Sequence, residues 1–456
     1  MSQLDYGKGS ITKNIIASAI PMLIAQLVNL LYTLVDRVFI GRIPVVGAEA
    51  LGGLGLTFPV VILIMAFTNL YSGGGAPLFA IARGEKNPRK ASQILTLCFF
   101  LEVGTAILIT GLGQLLAEPM MRVFGADDEA LLFALPYLRI YLCGTLFCMV
   151  AIGMNPFINA QGMPAFGMFS VVIGAILNLV LDPIFIFPMG MGIRGAAVAT
   201  VISQAVSAIV VLCILRRRRM PIRLIFRVHG RSLRQIWSIL TLGLAAFVMQ
   251  FTNALVSLVC NAVLARTGGN LYVSVMTVIT SLRQIFETPI LAICEGSSPA
   301  ISYNYGAEAY DRVRRSIRVM SYLSLGYTAV IWALLMLFPT AFVGIISDDP
   351  DILHQTVGAT RIYFCAFLFM TLQYIGQTSY KALNQRARSI FFSIFRKVIL
   401  VVPLTYLLPL ILEPSVNGVF AAEPVSNILG GSASFFTMVV FVRKLHKEKN
   451  TGSYRA

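Results

Sequence analysis

Apolar residues follow one another along this chain in long runs, each of about 20 residues or more, separated by short polar segments. An α-helix needs about 20 mainly apolar residues to cross the hydrocarbon core of a bilayer. The pattern predicts twelve membrane-spanning helices, at residues 14–41, 50–82, 91–117, 130–154, 163–187, 193–216, 235–265, 271–304, 313–338, 352–382, 388–412 and 417–443. The predicted fold class is an all-α integral membrane protein.

The composition of the chain supports this interpretation. Hydrophobic residues make up 57% of the 456 residues and charged residues only 12%, and the mean hydropathy is +0.80. A soluble domain carries about 25% charged residues, so the composition excludes an ordinary soluble protein.

The net charge of +16 is distributed unevenly among the predicted loops. Lys and Arg gather in the segments that are cytoplasmic if both termini lie in the cytoplasm. The outer loops hold the acidic runs "ADDE" at 126–129 and "DDPD" at 348–351. This is the positive-inside distribution. We therefore predict a multi-pass protein of the cell membrane with both termini cytoplasmic, and no nucleic-acid partner.

The two halves of the chain resemble each other, in order and at a nearly constant spacing. "QLVNLL" at 26–31 matches "QFTNAL" at 250–255, and "GGGAPLFAIARG" matches "EGSSPAISYNYG" in its Pro and final Gly. "GAAVATVISQ" at 195–204 matches "GVFAAEPVSN" at 418–427. Several matches in one order indicate a duplicated unit of six helices.

The duplication predicts the organisation of the chain. We expect an N-terminal six-helix lobe at 1–215, a basic cytoplasmic linker at 216–234, a C-terminal six-helix lobe at 235–443 and a cytoplasmic tail at 444–456. Because each half has an even number of helices, the pseudo-two-fold axis between the lobes lies along the membrane normal, with substrates bound between them. This is typical of a transporter.

The sequence offers no set of side chains for catalysis or for a resident metal. All seven cysteines fall inside predicted helices, where they read as small apolar core residues. Of the three histidines, His229 and His446 lie in basic cytoplasmic segments, and no phosphate-binding loop, nucleophile elbow or zinc-protease motif occurs. We predict no enzyme activity, no catalytic residue, no metal centre and no organic cofactor.

Acidic residues inside membrane helices are the main candidates for function. They are Asp36, Glu102, Asp182, Glu287, Glu295 and Glu423. Each costs roughly 2.5–3.5 kcal/mol at a helix centre. Asn178 and Asp182 are four residues apart and share one helix face, and Pro183 leaves the carbonyl of Leu179 without its usual donor. These oxygens suit a small cation.

Motifs in order along the chain carry a family resemblance. They are "IPMLIAQ" at 20–26, "LVDRVFIG" at 34–41, "NLVLDPIFI" at 178–186, "GAAVATVISQ" at 195–204 and "CEGSSPAISYNYGA" at 294–307. With them the chain resembles, over essentially its whole length, the bacterial drug-efflux branch of the multidrug and toxic compound extrusion (MATE) family. The resemblance implies an antiporter that exports amphipathic, often cationic, organic compounds by alternating access, in exchange for H⁺ or Na⁺.

The resemblance also implies a cation site in the N-terminal lobe. Asp36 matches the helix-1 aspartate that meets the Asn178–Asp182 face in the family, and Tyr137 and Thr200 match a helix-4 tyrosine and a helix-6 threonine. Tyr141, one turn further on, leaves the placement of Tyr137 open. The site would hold a proton, or Na⁺ at Asp36, Asn178 and Asp182.

The repeat supplies a control for this site. A shift of 224 residues, the spacing of Gln26 and Gln250, carries Asp36 to Cys260, Asn178 to Val402 and Asp182 to Tyr406. The second lobe therefore lacks the cluster, so the fold does not require it. Two structural alternatives stay open: Asp36 paired with Arg37 or with interfacial water, and Asn178–Asp182 as a polar pair at a proline kink.

Further residues are candidates for the wall of a substrate cavity: Gln26, Asn29, Met149, Phe157, Gln250, Asn253, Glu287, Glu295 and Glu423. Glu287 follows Arg283 by one turn, so an intrahelical ion pair is the alternative. Glu102 is expected to be structural or at the lipid edge, and Arg396 and Lys397 are expected near the cytoplasmic face.

The partners expected are the lipid bilayer and small organic cations or drugs, and the transporter is expected to be a monomer. The alternative function is a flippase or exporter of lipid-linked or polysaccharide precursors. That function would need inward-facing cations to bind phosphate, and the mid-helix candidates are Arg139, Arg283 and Arg361.

Overall fold

The computed structural model describes residues 3–218, 220–226, 233–346 and 350–450, with the side chains of 446–450 left out. The predicted linker, the tail and the acidic run at 348–351 therefore lie partly outside the described residues. Within the described ranges the chain forms helices and connecting turns, and no strand.

The first half of the chain contains eight helices. They are α1 (Ile11–Gly41), α2 (Gly47–Gly84), α3 (Pro88–Val123), α4 (Asp128–Cys143), α5 (Thr145–Gly153), α6 (Asn155–Ala160), α7 (Pro164–Ile186) and α8 (Ile193–Arg216). Capping residues determine where several of these helices begin. Asn87, followed by a proline, accepts from the Lys90 amide and caps α3, and the Asp127 carboxylate accepts from the Ala130 amide, 2.8 Å away, and caps α4.

The second half is more interrupted. It contains α9 (Leu233–Thr267), α10 (Gly269–Gly306), α11 (Tyr310–Leu337), α12 (Pro339–Val343), α13 (Pro350–Phe364), α14 (Phe367–Ala382), α15 (Arg386–Ile394), α16 (Val402–Leu407), α17 (Ser415–Ser426) and α18 (Ser432–Asn450). A π-helical segment (Phe395–Val401) joins α15 to α16, a 3₁₀ turn (Leu408–Leu410) follows, and a second π-helical segment (Asn427–Gly431) joins α17 to α18.

These helices cover the predicted membrane crossings. Nine helical segments of the described chain are long and apolar enough to span a membrane, and α4 with the α5–α6 segment, bent by 57°, makes a tenth. The break was not predicted and falls at Gly144, where a side chain would overlap Val201. α10 and the α13–α14 pair occupy the places of the remaining two predicted helices.

The chain packs as two compact units. Unit 1 comprises Met1–Asp5 and Ile20–Gly243, and unit 2 comprises Tyr6–Ala19 and Leu244–Ala456. The division differs from the predicted lobe boundaries at both ends, for reasons of packing. Gly296 of α10 lies so close to the Ala19 backbone that it has no room for a Cβ, and Gly243 abuts the backbone of α2 in the same way.

Candidate functional site

The acid pair of unit 1 is the first group of interest. The carboxyl groups of Asp36, on α1, and Asp182, on α7, lie close enough to interact directly with each other. Asp182 is only 1% exposed. Two ionised carboxylates so close repel each other, and a proton or a small cation between them removes the repulsion. That this pair binds such a cation stays a prediction.

The neighbouring helices complete this cluster. The Asn178 amide donates to Asp182 Oδ1 at 3.0 Å and reaches Thr200 Oγ1, on α8, at 3.4 Å. Tyr137, on α4, lies close enough to Thr200 and to both acids to interact with them. Tyr141 turns instead toward Cys148 Sγ, 3.8 Å away, so Tyr137 is the tyrosine of the cluster. The structure thus brings together all five residues of the predicted cation site, whose role stays a prediction.

Tyr32 was not among the residues predicted for this cluster. Tyr32 of α1 lies close enough to Asp36 and Asp182 to interact with both electrostatically. It precedes Asp36 by one helical turn, and this i, i+4 spacing was the available signal.

Unpaired oxygens show what the cluster can bind. In the described part of the chain, Asp36 Oδ1, Asn178 Oδ1 and Asp182 Oδ2 are buried and accept no hydrogen bond. Buried acceptors of this kind are costly unless something satisfies them. Carboxylate and amide oxygens are hard ligands, which suit a proton or a small cation such as Na⁺.

The predicted alternative for Asp36, a pair with Arg37 or with interfacial water, stays a prediction. The guanidinium of Arg37 lies over the ring of Phe58, 4.9 Å from its centroid. Asp36 interacts both with the charge of Arg37 and with the carboxyl group of Asp182.

A third buried acid of unit 1 stands apart from this cluster. Glu102, on α3, is fully buried against Gly153 of α5, where a Cβ would overlap its carboxyl group. Both of its oxygens lack a hydrogen-bond partner within the described residues. The predicted lipid-edge position is therefore wrong, because the missing side chain at Gly153 opens space for the carboxyl group inside the unit.

Unit 2 contains a buried basic cluster, defined here as Arg283, Glu287, Arg396, Lys397 and Glu423. Glu423 Oε1 accepts from Lys397 Nζ at 2.8 Å and from Arg396 at 2.9 Å, and lies 3.5 Å from Arg283. Arg396 and Lys397, predicted near the cytoplasmic face, are buried in the π-helical segment between α15 and α16, where Glu423 pairs with both of them. Their position relative to the membrane faces stays a prediction.

Glu287 joins the same cluster from α10. Its Oε2 lies 3.6 Å from Arg283 Nε, and it accepts a hydrogen bond from the Tyr374 hydroxyl. The intrahelical ion pair, the alternative left open by the sequence, is therefore present.

The remaining cavity candidates divide into two groups. Met149 and Phe157 are fully buried, and Phe157 packs edge-on against Phe79 with ring centroids 5.5 Å apart. The structure places both in the packed core of unit 1, not on a cavity wall. The other candidates are partly or fully exposed on α1, α9 and α10, and their contact with substrate stays a prediction: Gln26, Asn29, Gln250, Asn253 and Glu295.

Comparison with known proteins bears on both halves. The MatE family model matches twice, at residues 21–184 and 245–407. The multidrug export protein MepA of Staphylococcus haemolyticus is 25% identical over 82% of this chain and 83% of its own length. A FAD transporter of Shewanella oneidensis is 25% identical over 92% of each chain.

Solved structures share the fold. An outward-facing multidrug resistance MATE transporter of the MOP superfamily superposes with a TM-score of 0.91 at 22% identity, over 98% of this chain and 99% of its own. A MATE in complex with MaD3S gives a TM-score of 0.92 at the same identity and coverage. The predicted fold class, all-α with twelve membrane helices in two lobes, is confirmed. With both halves matched by the family model and the predicted motifs in place, this chain belongs to the MatE family of membrane transporters.

Proposed function

We propose that this protein is a cation-coupled antiporter that exports amphipathic organic compounds by alternating access. The coupling cation, H⁺ or Na⁺, binds at Asp36 and Asp182, with Asn178, Thr200 and Tyr137 around it. The observation that carries the proposal is the acid pair, whose carboxyl groups lie close enough to interact. Asp36 Oδ1 and Asp182 Oδ2 are buried and accept no hydrogen bond within the described residues.

The acid pair supplies a physical basis for coupling. Empty, the pair holds two like charges close to each other, which is costly in a membrane interior. A bound cation removes that repulsion and lets α1 repack against α7. Occupancy of the site thereby biases the carrier between its outward- and inward-facing states.

The membrane potential sets the scale of the work available. One elementary charge crossing 100 mV provides about 2.3 kcal/mol. At about 1.4 kcal/mol per decade of concentration, this sustains roughly a 40-fold gradient of exported compound per net charge.

The relatives support export of organic compounds without deciding which. One is named a multidrug export protein and another a FAD transporter. A flippase of lipid-linked precursors, the alternative, needs cations that face its substrate, and the basic cluster of unit 2 is where such cations occur.

The proposal is tested by ethidium efflux from energised vesicles, with sodium and pH gradients imposed separately. One inwardly directed gradient is expected to drive efflux and its collapse to stop it. The proposal would be overturned if the efflux rate were the same with and without each gradient, or if no organic compound tried were exported.

A further inference from the structure

The basic cluster of unit 2 holds more positive than negative charge. Within the described residues, Arg283, Arg396 and Lys397 face two carboxylates, Glu287 and Glu423. The single oxygen Glu423 Oε1 serves all three cations. The cluster therefore keeps one positive charge without an internal counterpart.

Hydrogen-bond donors are in surplus as well. Arg396 has a second acceptor, Asn427 Oδ1 at 2.8 Å, yet its buried Nε donates no hydrogen bond within the described residues. Arg283 Nε donates none there either, and Glu287 Oε2 lies 3.6 Å from it. A buried cationic group that lacks an acceptor is costly, and the cost is relieved by an anion that completes its hydrogen bonds.

The cluster is open at one edge. The side chains of Arg396, Lys397 and Glu423 are 3–6% exposed, whereas Arg283 is 24% and Glu287 15% exposed. Arg283 lies well inside α10, away from both helix ends, and ionisable residues inside a membrane helix as a rule face protein or water. Arg283 is thus the member of the cluster that a compound from outside the unit would meet first.

We propose that the basic cluster binds the anionic group, a carboxylate or phosphate, of the organic compound that the transporter carries. Arg283 makes the first contact, with a planar fork of donors suited to both groups, and the buried charges of Arg396 and Lys397 add to its field. The inference rests on the proposed export of organic compounds and specifies their charge: compounds with an anionic group bind better than neutral or cationic ones of the same shape.

The experiment compares riboflavin with flavin mononucleotide, two fluorescent compounds that differ only in a phosphate. Binding of each to the purified full-length protein in detergent is followed by fluorescence anisotropy, without any ion gradient. We expect the phosphate to tighten binding by about tenfold, as charge-assisted hydrogen bonds do.

Variants identify the residue responsible. Arg283→Gln is expected to abolish the preference for the phosphate, while Arg283→Lys retains most of it because the charge is kept. Arg318→Gln is the matched control, since Arg318 is an exposed arginine of α11 in the same unit, and it should leave the preference unchanged.

Equal binding of the two flavins to the wild-type protein would overturn the inference. So would an unchanged preference in Arg283→Gln, or an equal loss in Arg318→Gln. Displacement of flavin mononucleotide by a short-chain phosphatidylglycerol, but not by flavin adenine dinucleotide, would assign the site to a lipid headgroup and reject a soluble compound. Flavin binding is measured at equilibrium and does not depend on gradient-driven efflux. The proposal of anion recognition and the proposal of cation-coupled export can therefore fail independently of each other.

Discussion

The two units place different chemistry at matching points of one repeated design. Asp36 of unit 1 matches Cys260 of unit 2. Asp36 lies close enough to Asp182 to interact with it, and Cys260 Sγ lies 3.7 Å from Thr405 Oγ1. The pair of helices meets in both units, through two acids in one and through a thiol and a hydroxyl in the other.

The charges of unit 2 sit at another point of the repeat. Thr200 in "GAAVATVISQ" and Glu423 in "GVFAAEPVSN" occupy equivalent places. Thr200 belongs to the acid site of unit 1, whereas Glu423 is surrounded by the cations of the basic cluster. The comparison teaches that the repeated fold needs neither arrangement, so each arrangement requires a reason of its own. For the first we propose cation coupling and for the second recognition of an anionic group.

The largest expected effect removes the charge of the acid pair. Asp36→Asn and Asp182→Asn keep the shape of the side chains but remove the negative charge that takes up and releases the cation. Each variant is therefore expected to reduce ethidium efflux from energised vesicles to background. Both proteins should still fold and insert. Asp128→Asn is the control, since Asp128 is exposed and pairs with Arg122 at 3.2 Å, and it should transport normally. Wild-type efflux by either acid variant would show that the acid pair of unit 1 is not the site of cation coupling.

A second test breaks the basic cluster. Glu423→Ala leaves the buried Arg396 and Lys397 without their shared partner, which is expected to cost about 3 kcal/mol of stability. Denaturant titration in detergent measures the loss. Glu118→Ala removes one partner of an exposed i,i+4 pair with Arg122, where about 0.5 kcal/mol or less is expected. Similar losses of stability in the two variants would show that breaking the basic cluster costs no more than breaking a surface ion pair.

A smaller effect is expected at the edge of the acid site. Asn178→Ala removes one hydrogen bond to Asp182 and one oxygen, and it should raise the cation concentration for half-maximal efflux by about fivefold, equivalent to about 1 kcal/mol. The maximal rate should change less than this concentration. An unchanged cation dependence would show that Asn178 only supports the fold.

The smallest effect separates Glu102 from the acid pair. Glu102→Met replaces a buried, unpaired carboxyl group by an apolar side chain of similar size, so stability should rise by about 1 kcal/mol while efflux persists. Thermal unfolding in detergent and vesicle efflux check the two parts. Loss of efflux would make Glu102 a third member of the coupling machinery.

Sequence pattern was sufficient to predict much of the fold and the Asn178–Asp182 part of the acid site. Hydrophobic runs place the helices because the bilayer fixes their length, and the i, i+4 spacing of Asn178 and Asp182 places both on one face. The partners from α1, α4 and α8 could not be derived from spacing, since they meet only in the folded unit. Asp36, Tyr137 and Thr200 came from family resemblance.

The basic cluster could not be predicted because its members are distant in sequence. Arg396 and Lys397 read as interfacial residues, and nothing local indicates that Glu423 reaches them from α17. The repeat register failed by one residue in the same region. Tyr406, the predicted counterpart of Asp182, is 51% exposed, while Thr405 is fully buried and meets Cys260. The spacing between repeats varies from helix to helix, so one shift cannot align every pair.

The most direct test of the central claim is to measure the coupled cation flux itself. Vesicles that contain the wild-type protein or Asp182→Asn are given an outward ethidium gradient and no ion gradient, and H⁺ and Na⁺ entry are recorded together with ethidium exit. The acid pair predicts that wild-type vesicles exchange one of the two cations for ethidium and that Asp182→Asn exchanges neither. Entry of the same cation, in the same ratio to ethidium, through Asp182→Asn would contradict it.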